Sequence, residues 1–188
     1  LEEVDGLGIF EVYPNRDSLP YKHLYGLNDA LTVMRGTYRN IGWCENLKAI
    51  VDLGLVDETP NVRLKGIIFQ QMLAESVGAS ASDNIRAETA KKLNIEITSP
   101  ILDRLEWLGL FSDESVTNYD NRLDILSDRL QEKLFYKEGE KDMILLQHKF
   151  TVKNKKKMKE FITSTLIDYG ITNGDSSMAL SLRHSRSP

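Results

Sequence analysis

The spacing of apolar residues changes period near Gly139, and neither an all-helical nor an all-strand fold accommodates both sides of that change. Before it, from Asn61 to Tyr136, apolar residues recur every three or four positions. Leu64, Ile67, Ile68 and Met72 fall on one helical stripe; Ile85, Thr89 and Leu93 fall on a second. Ile101, Leu102, Leu105 and Leu108 form a third, opened by Ser99-Pro100, and Leu123, Leu126, Leu130 and Leu134 a fourth. After Gly139, Met143–Val152 and Glu160–Tyr169 are two long extended runs flanking a lysine-rich turn, which predicts an antiparallel hairpin.

Ahead of the helical middle, Gly8–Tyr13 is rich in β-branched and aromatic residues and predicts a strand, and Pro14–Ser18 predicts a turn. Ser18 is placed to cap a short helix running to Tyr25, with Pro20 in its first turn and Gly26 after its end. Leu31–Arg39 predicts a second strand. A helix starting near Asn40 then carries Trp43, Leu47, Ile50 and Val51 on one buried face until Gly54. The order strand, strand, helices, hairpin predicts an α+β fold: a mixed or largely antiparallel sheet with helices packed on one face, a central helical segment and a C-terminal β-hairpin. A last helix is expected over Ser176–Leu182, with the polar residues 183–188 as a frayed tail.

Composition removes several function classes. The 24 basic and 28 acidic residues give a net charge of −4, which does not favour a generic nucleic-acid binder. Cys44 is the one cysteine, and His23, His148 and His184 lack metal-ligand spacing, so neither a disulfide framework nor a structural zinc site is expected. No apolar run approaches the ~18–20 residues that cross a bilayer, and no secretory signal pattern is present. These features predict a soluble protein of a reducing compartment. The chain starts at Leu1 rather than methionine, which reads as a fragment boundary. No Gly-x-Gly-x-x-Gly follows a strand, and there is no Walker loop.

Two polar clusters stand out. Asn15-Arg16-Asp17-Ser18 lies at a strand end, where an arginine can grip a carboxylate in a bidentate fork; an Arg–Asp pair trimming a turn is the other reading. In Arg35-Gly36-Thr37-Tyr38-Arg39, a strand conformation puts Arg35, Thr37 and Arg39 on one face and leaves room at Gly36. That face suits an anionic small molecule, or is a solvated strand face. Ala90–Leu93 followed by Ser99–Leu110 mimics a winged-helix DNA reader, but Asp103 and Glu106 beside Arg104 favour core-packing helices. Lys153, Lys155, Lys156, Lys157 and Lys159 read as a solvated hairpin tip, with an electrostatic patch for a phosphate or partner as the other reading. Cys44, early in a helix after a tryptophan, reads as a packed thiol, although a helix N-terminus lowers a thiol's pKa.

Phe10–Ser18, the Tyr21–Gly26 segment, Arg35–Arg39 and Lys48–Leu55 together resemble saccharopine dehydrogenase. Glu106–Leu110, Lys133-Leu134 and Glu140–Ile144 add to the resemblance, the last looking most like the dehydrogenase half of the animal bifunctional α-aminoadipic semialdehyde synthase. In that family an α/β substrate domain is inserted into a sequence-split Rossmann domain. The resemblance implies that residues 1–182 are this insert, without the flanking Rossmann segments, and that Ser176–Ala179 starts the helix leading back. The family reaction oxidises saccharopine with NAD or NADP to glutamate and α-aminoadipate semialdehyde in lysine degradation. The implied site residues are Arg16 and Arg39 for substrate carboxylates, Thr37 and Tyr38 for a hydroxyl or backbone contact, and Arg35 as a brace. No catalytic, cofactor or metal residue is implied within the chain. The implied partners are saccharopine and the Rossmann domain of the same parent chain, with no nucleic acid or membrane; homo-oligomerisation stays open. Isolated, the chain is expected neither to bind nicotinamide tightly nor to turn over. The implied location is the mitochondrial matrix for an animal bifunctional type and the cytoplasm otherwise. A non-catalytic ligand- or partner-binding module derived from the family is the alternative.

Overall fold

The computed structural model describes residues 1–171, 176 and 177, except 81, 117, 154, 155, 157 and 158. The chain divides into two units, Leu1–Leu134 and Phe135–Pro188. The first begins with an antiparallel sheet of order β1-β2-β3, built from β1 (Glu2–Val4), β2 (Gly8–Pro14) and β3 (Gly36–Arg39), with α1 (Leu19–Leu24) between β2 and β3. The helices follow: α2 (Trp43–Asp52), a 3-10 turn (Val62–Leu64), α3 (Phe69–Val77), α4 (Ile85–Leu93), α5 (Pro100–Trp107) and α6 (Arg122–Leu134). This is the α+β architecture expected, with an antiparallel sheet.

The helix starts follow local chemistry. Asn84 Oδ1 accepts from the Ala87 amide at 3.1 Å, Ser99 Oγ from Ile101 at 3.3 Å and Asn121 Oδ1 from Asp124 at 2.9 Å. Each cap satisfies an amide that the first helical turn leaves open. The helices then pack on one another, α3 against α4, α2 against α5 and α4 against α5. Ile50, Leu64, Phe69, Met72, Leu73, Leu102, Leu105, Leu110, Ile125 and Leu126 form their shared core. Burying each such side chain stabilises the unit by about 1.5–3 kcal/mol before chain entropy is counted.

Five readings change in detail. The strand expected from Leu31 begins only at Gly36, because the Arg35 amide donates to Ser18 Oγ instead of to a ladder. The same bond takes Ser18 away from capping α1, where Asp17 Oδ1 accepts from Leu19 instead. Leu64 and Met72 are buried but share no helix; Ile67 and Ile68 are extended, held by the Val116 amide and an antiparallel bridge to Ser115. On α2 only Ala49 and Ile50 are buried, while Trp43, Leu47 and Val51 face outward. On α6 the buried face is Ile125, Leu126 and Arg129 rather than the leucines at its ends. The winged-helix likeness dissolves: Arg86 of α4 pairs with Asp103 and Glu106 of α5, and Leu102 and Leu105 go into the core.

The second unit is the expected hairpin of β4 (Met143–Lys153) and β5 (Lys159–Tyr169), paired from Met143↔Tyr169 to Lys153↔Lys159. Gln147 Nε2 donates to Thr165 Oγ1 at 2.9 Å across the ladder. Asp142 accepts from the amide and hydroxyl of the buried Ser177, bonds that hold its carboxyl below the usual aspartate range. Much of the lysine-rich tip, the rest of the helix expected over Ser176–Leu182 and the tail 183–188 lie outside the described residues. Among the described residues no helix is long and apolar enough to cross a membrane.

Candidate functional site

At the open end of the β2–β3 ladder, two hydrogen bonds and a cation–π contact fold one loop onto another. The Asn15 amide donates to the Arg35 carbonyl at 3.0 Å, and the Arg35 amide to Ser18 Oγ at 2.8 Å. The Arg35 guanidinium lies 4.1 Å from the centre of the Tyr21 ring on α1, within cation–π range. Arg35 therefore sits on the α1 side and not in line with Thr37 and Arg39 on the strand. Arg16, between these anchors, is exposed and holds a left-handed backbone with φ +66°. Among the described residues only Asn94 shares this state without being glycine, and asparagine tolerates it at the helix end it caps. An arginine there costs on the order of 1 kcal/mol, and such strain gathers at functional sites.

Further along the ladder, the pleat separates two faces. Thr37 and Arg39 stand opposite Tyr13 and Glu11 on one face; Tyr38 stands opposite Val12 on the other, edge-on to Phe10 at 5.8 Å. Tyr38 thus turns its ring away from Arg39. Gly36 permits the close approach of the strands: a Cβ there would lie 2.6 Å from Val12 Cγ1. Arg39 Nη1 donates to the Tyr38 carbonyl at 3.2 Å, its Cζ is 5.2 Å from the Trp43 ring centre, and its buried Nε has no partner among the described residues.

Glu11 caps α2. Its two oxygens accept from the amides of Cys44 (2.7 Å) and Gly42 (2.8 Å), and these bonds hold its carboxyl below the usual glutamate range. The hydrogen bond to Glu11 in turn pushes the half-buried Cys44 thiol up, opposing the lowering that a helix N-terminus alone would give.

Charge sorts the arginines of the first unit. Arg86, Arg104, Arg122 and Arg129, all on helices, are paired with carboxylates. Arg16, Arg35 and Arg39 have no ion pair among the described residues; nor does Arg63 on the 3-10 turn. The arginines without a carboxylate partner thus lie mainly at the end and along one face of the β2–β3 ladder. No group of three His, Cys, Asp or Glu among the described residues could hold a metal. A recess of about 550 Å³ along α4, lined by Lys91, Asn94 and Glu96, involves none of the site residues.

The sequence reading missed Glu11, Tyr21 and Trp43. Glu11 was visible as an acidic residue alternating with aromatic and apolar ones, but its cap partners lie 31 and 33 positions away.

A family model described as the saccharopine dehydrogenase C-terminal domain matches residues 3–182. The chain belongs to that family. It is 39% identical over 181 residues to the NADP(+)-linked, L-glutamate-forming saccharopine dehydrogenase of Schizosaccharomyces pombe, covering 90% of this chain and 40% of that one. It is 38% identical over 176 residues to the mitochondrial alpha-aminoadipic semialdehyde synthase of Bos taurus, covering 90% of this chain and 19% of that one. The apo histidine-tagged L-Glu-forming saccharopine dehydrogenase of Saccharomyces cerevisiae superposes with a TM-score of 0.83 at 38% identity, covering 95% of this chain and 41% of that one. This saccharopine dehydrogenase C-terminal domain therefore spans well under half the length of these relatives. Its described residues do not fit a dinucleotide: both sheets are antiparallel, and the one helix entered from a strand through a glycine, α2, already has the Glu11 carboxylate on its first amides.

Proposed function

We propose that this chain is the substrate-binding domain of a saccharopine dehydrogenase, holding saccharopine while other parts of the parent polypeptide hold nicotinamide. The observation that carries the reading is the set of unneutralised arginines at one end and one face of the β2–β3 ladder. Saccharopine bears three carboxylates, and charge-assisted arginine–carboxylate bonds are the strong ones. In this reading Arg16 and Arg39 each grip a carboxylate, the Thr37 hydroxyl bonds beside Arg39, and Tyr38 contributes its backbone. Arg35, braced on Tyr21, shapes the loop that presents Arg16 and adds positive potential. Hydride transfer needs cofactor and substrate in register, so the domain alone performs the binding step and not turnover. By the same likeness, the parent works in the mitochondrial matrix if it is of the animal bifunctional type and in the cytoplasm otherwise.

The test is calorimetric titration of the chain with saccharopine. Arg16→Ala and Arg39→Ala are each expected to weaken binding by about 10–100-fold, the loss of a charge-assisted bond of ~1.5–3 kcal/mol. NAD- or NADP-linked oxidation of saccharopine by the chain alone is expected to be absent. Sustained turnover, or affinity indifferent to both substitutions, overturns the reading; the absence of any saccharopine binding favours a ligand or partner module derived from the family.

A further inference from the structure

In the antiparallel register Glu11 stands directly opposite Arg39 on the same face, where opposite charges ordinarily pair across the ladder. They do not pair here. Both Glu11 oxygens accept from the first turn of α2, at Gly42 and Cys44. The chain turns from β3 into that helix within three residues because Gly42 adopts φ +92°. Any side chain there would strain that left-handed backbone, and a Cβ would press on the Arg104 guanidinium that pairs with Glu45. Asn46 Nδ2 tightens the same turn by donating to the Gly42 carbonyl at 2.5 Å. The first residue this anchored turn delivers is Trp43, whose ring lies 5.2 Å from Arg39 Cζ while more than a third of the residue stays exposed.

We propose that Glu11 and Trp43 are positioning residues for Arg39: Glu11 anchors the α2 turn instead of neutralising the arginine, and the indole so fixed backs the guanidinium for a ligand carboxylate. The inference rests on the reading of Arg39 as a carboxylate-binding group. An aromatic wall removes rotamers from a long, mobile side chain before the ligand arrives, so less freedom is lost on binding. It also keeps the cation's charge available, since a ring attracts the guanidinium without supplying the proton acceptor that a carboxylate would.

The chain contains two tryptophans, so Trp107→Phe leaves Trp43 as a sole reporter. In that background saccharopine is expected to shift Trp43 emission, and the shift should vanish in Arg39→Ala. Trp43→Leu is expected to weaken saccharopine binding by about five-fold, with Trp43→Phe restoring most of it. Glu11→Gln is expected to reduce affinity and alter Trp43 emission in the unliganded chain; Trp43, partly exposed, supplies the test should Glu11→Gln fail to fold. If Arg39→Ala leaves affinity unchanged, the binding-site reading itself falls. If Arg39→Ala weakens binding but Trp43→Leu and folded Glu11→Gln match the wild type, the positioning proposal alone is overturned.

Discussion

Arg39 and Arg129 are both arginines laid against an aromatic ring, and the fold treats them in opposite ways. Arg129 lies 4.2 Å from the Phe69 ring centre, is 3% exposed, and donates to Glu114 and to Glu132. Arg39 lies against Trp43 with no ion pair among the described residues, although Glu11 faces it across the ladder. The arginines on helices are thus paired with carboxylates, whereas the glutamate facing Arg39 across the ladder is held on helix amides. A ring beside an arginine says little about role; what differs between these two is whether a facing carboxylate pairs with the cation.

Breaking the helical side of this contrast should have the largest effect on stability. Arg129→Ala removes a side chain that fills the space beneath Gly109 and Phe69, and it is expected to cost about 2–4 kcal/mol in urea unfolding. Saccharopine affinity extrapolated to the folded state should stay put; a large affinity loss with intact stability would erase the contrast. Gly36→Ala acts on the other side: Val12 and the Tyr13 carbonyl must move, at an expected cost of about 1–2 kcal/mol, together with a weaker ligand grip. The smallest effect sharpens the contrast through pH. The Glu11 carboxyl is depressed below its ordinary value near 4.5, so its cap contributes fully above that value and is lost as pH falls through the folded-state pKa. Wild type and Glu11→Gln should therefore differ in thermal midpoint at neutral pH and converge in acid; parallel curves down to pH 2 would refute the cap.

Features encoded within a few residues were legible in the sequence. Ser99-Pro100 marks a helix start because a cap acts two or three positions ahead, and the hairpin announces itself through two long β-rich runs. Residue type singled out Arg16 at a strand end and Thr37 and Arg39 along one strand face, and the ladder does set Thr37 and Arg39 on one face. What escaped was non-local. The three-residue β1 carries too little pattern to detect. Arg129 looks like a surface charge until Glu114 is folded beside it, and Arg35 left the strand because Ser18, 17 positions earlier, took its amide. Trp43 was read as core because its spacing matches Ile50, yet its ring faces a guanidinium.

The left-handed turn at Arg16 also bears on how this position responds to selection. Glycine would relax the backbone and, under the proposed role, remove the grip on a carboxylate; lysine would keep the strain and offer a point charge in place of a fork. A population screened for folding alone would drift from arginine toward glycine here, while one screened for use of an anionic metabolite would hold it. If Arg16 holds the carboxylate as proposed, residue 16 is a place where stability and ligand use pull the same codon in opposite directions.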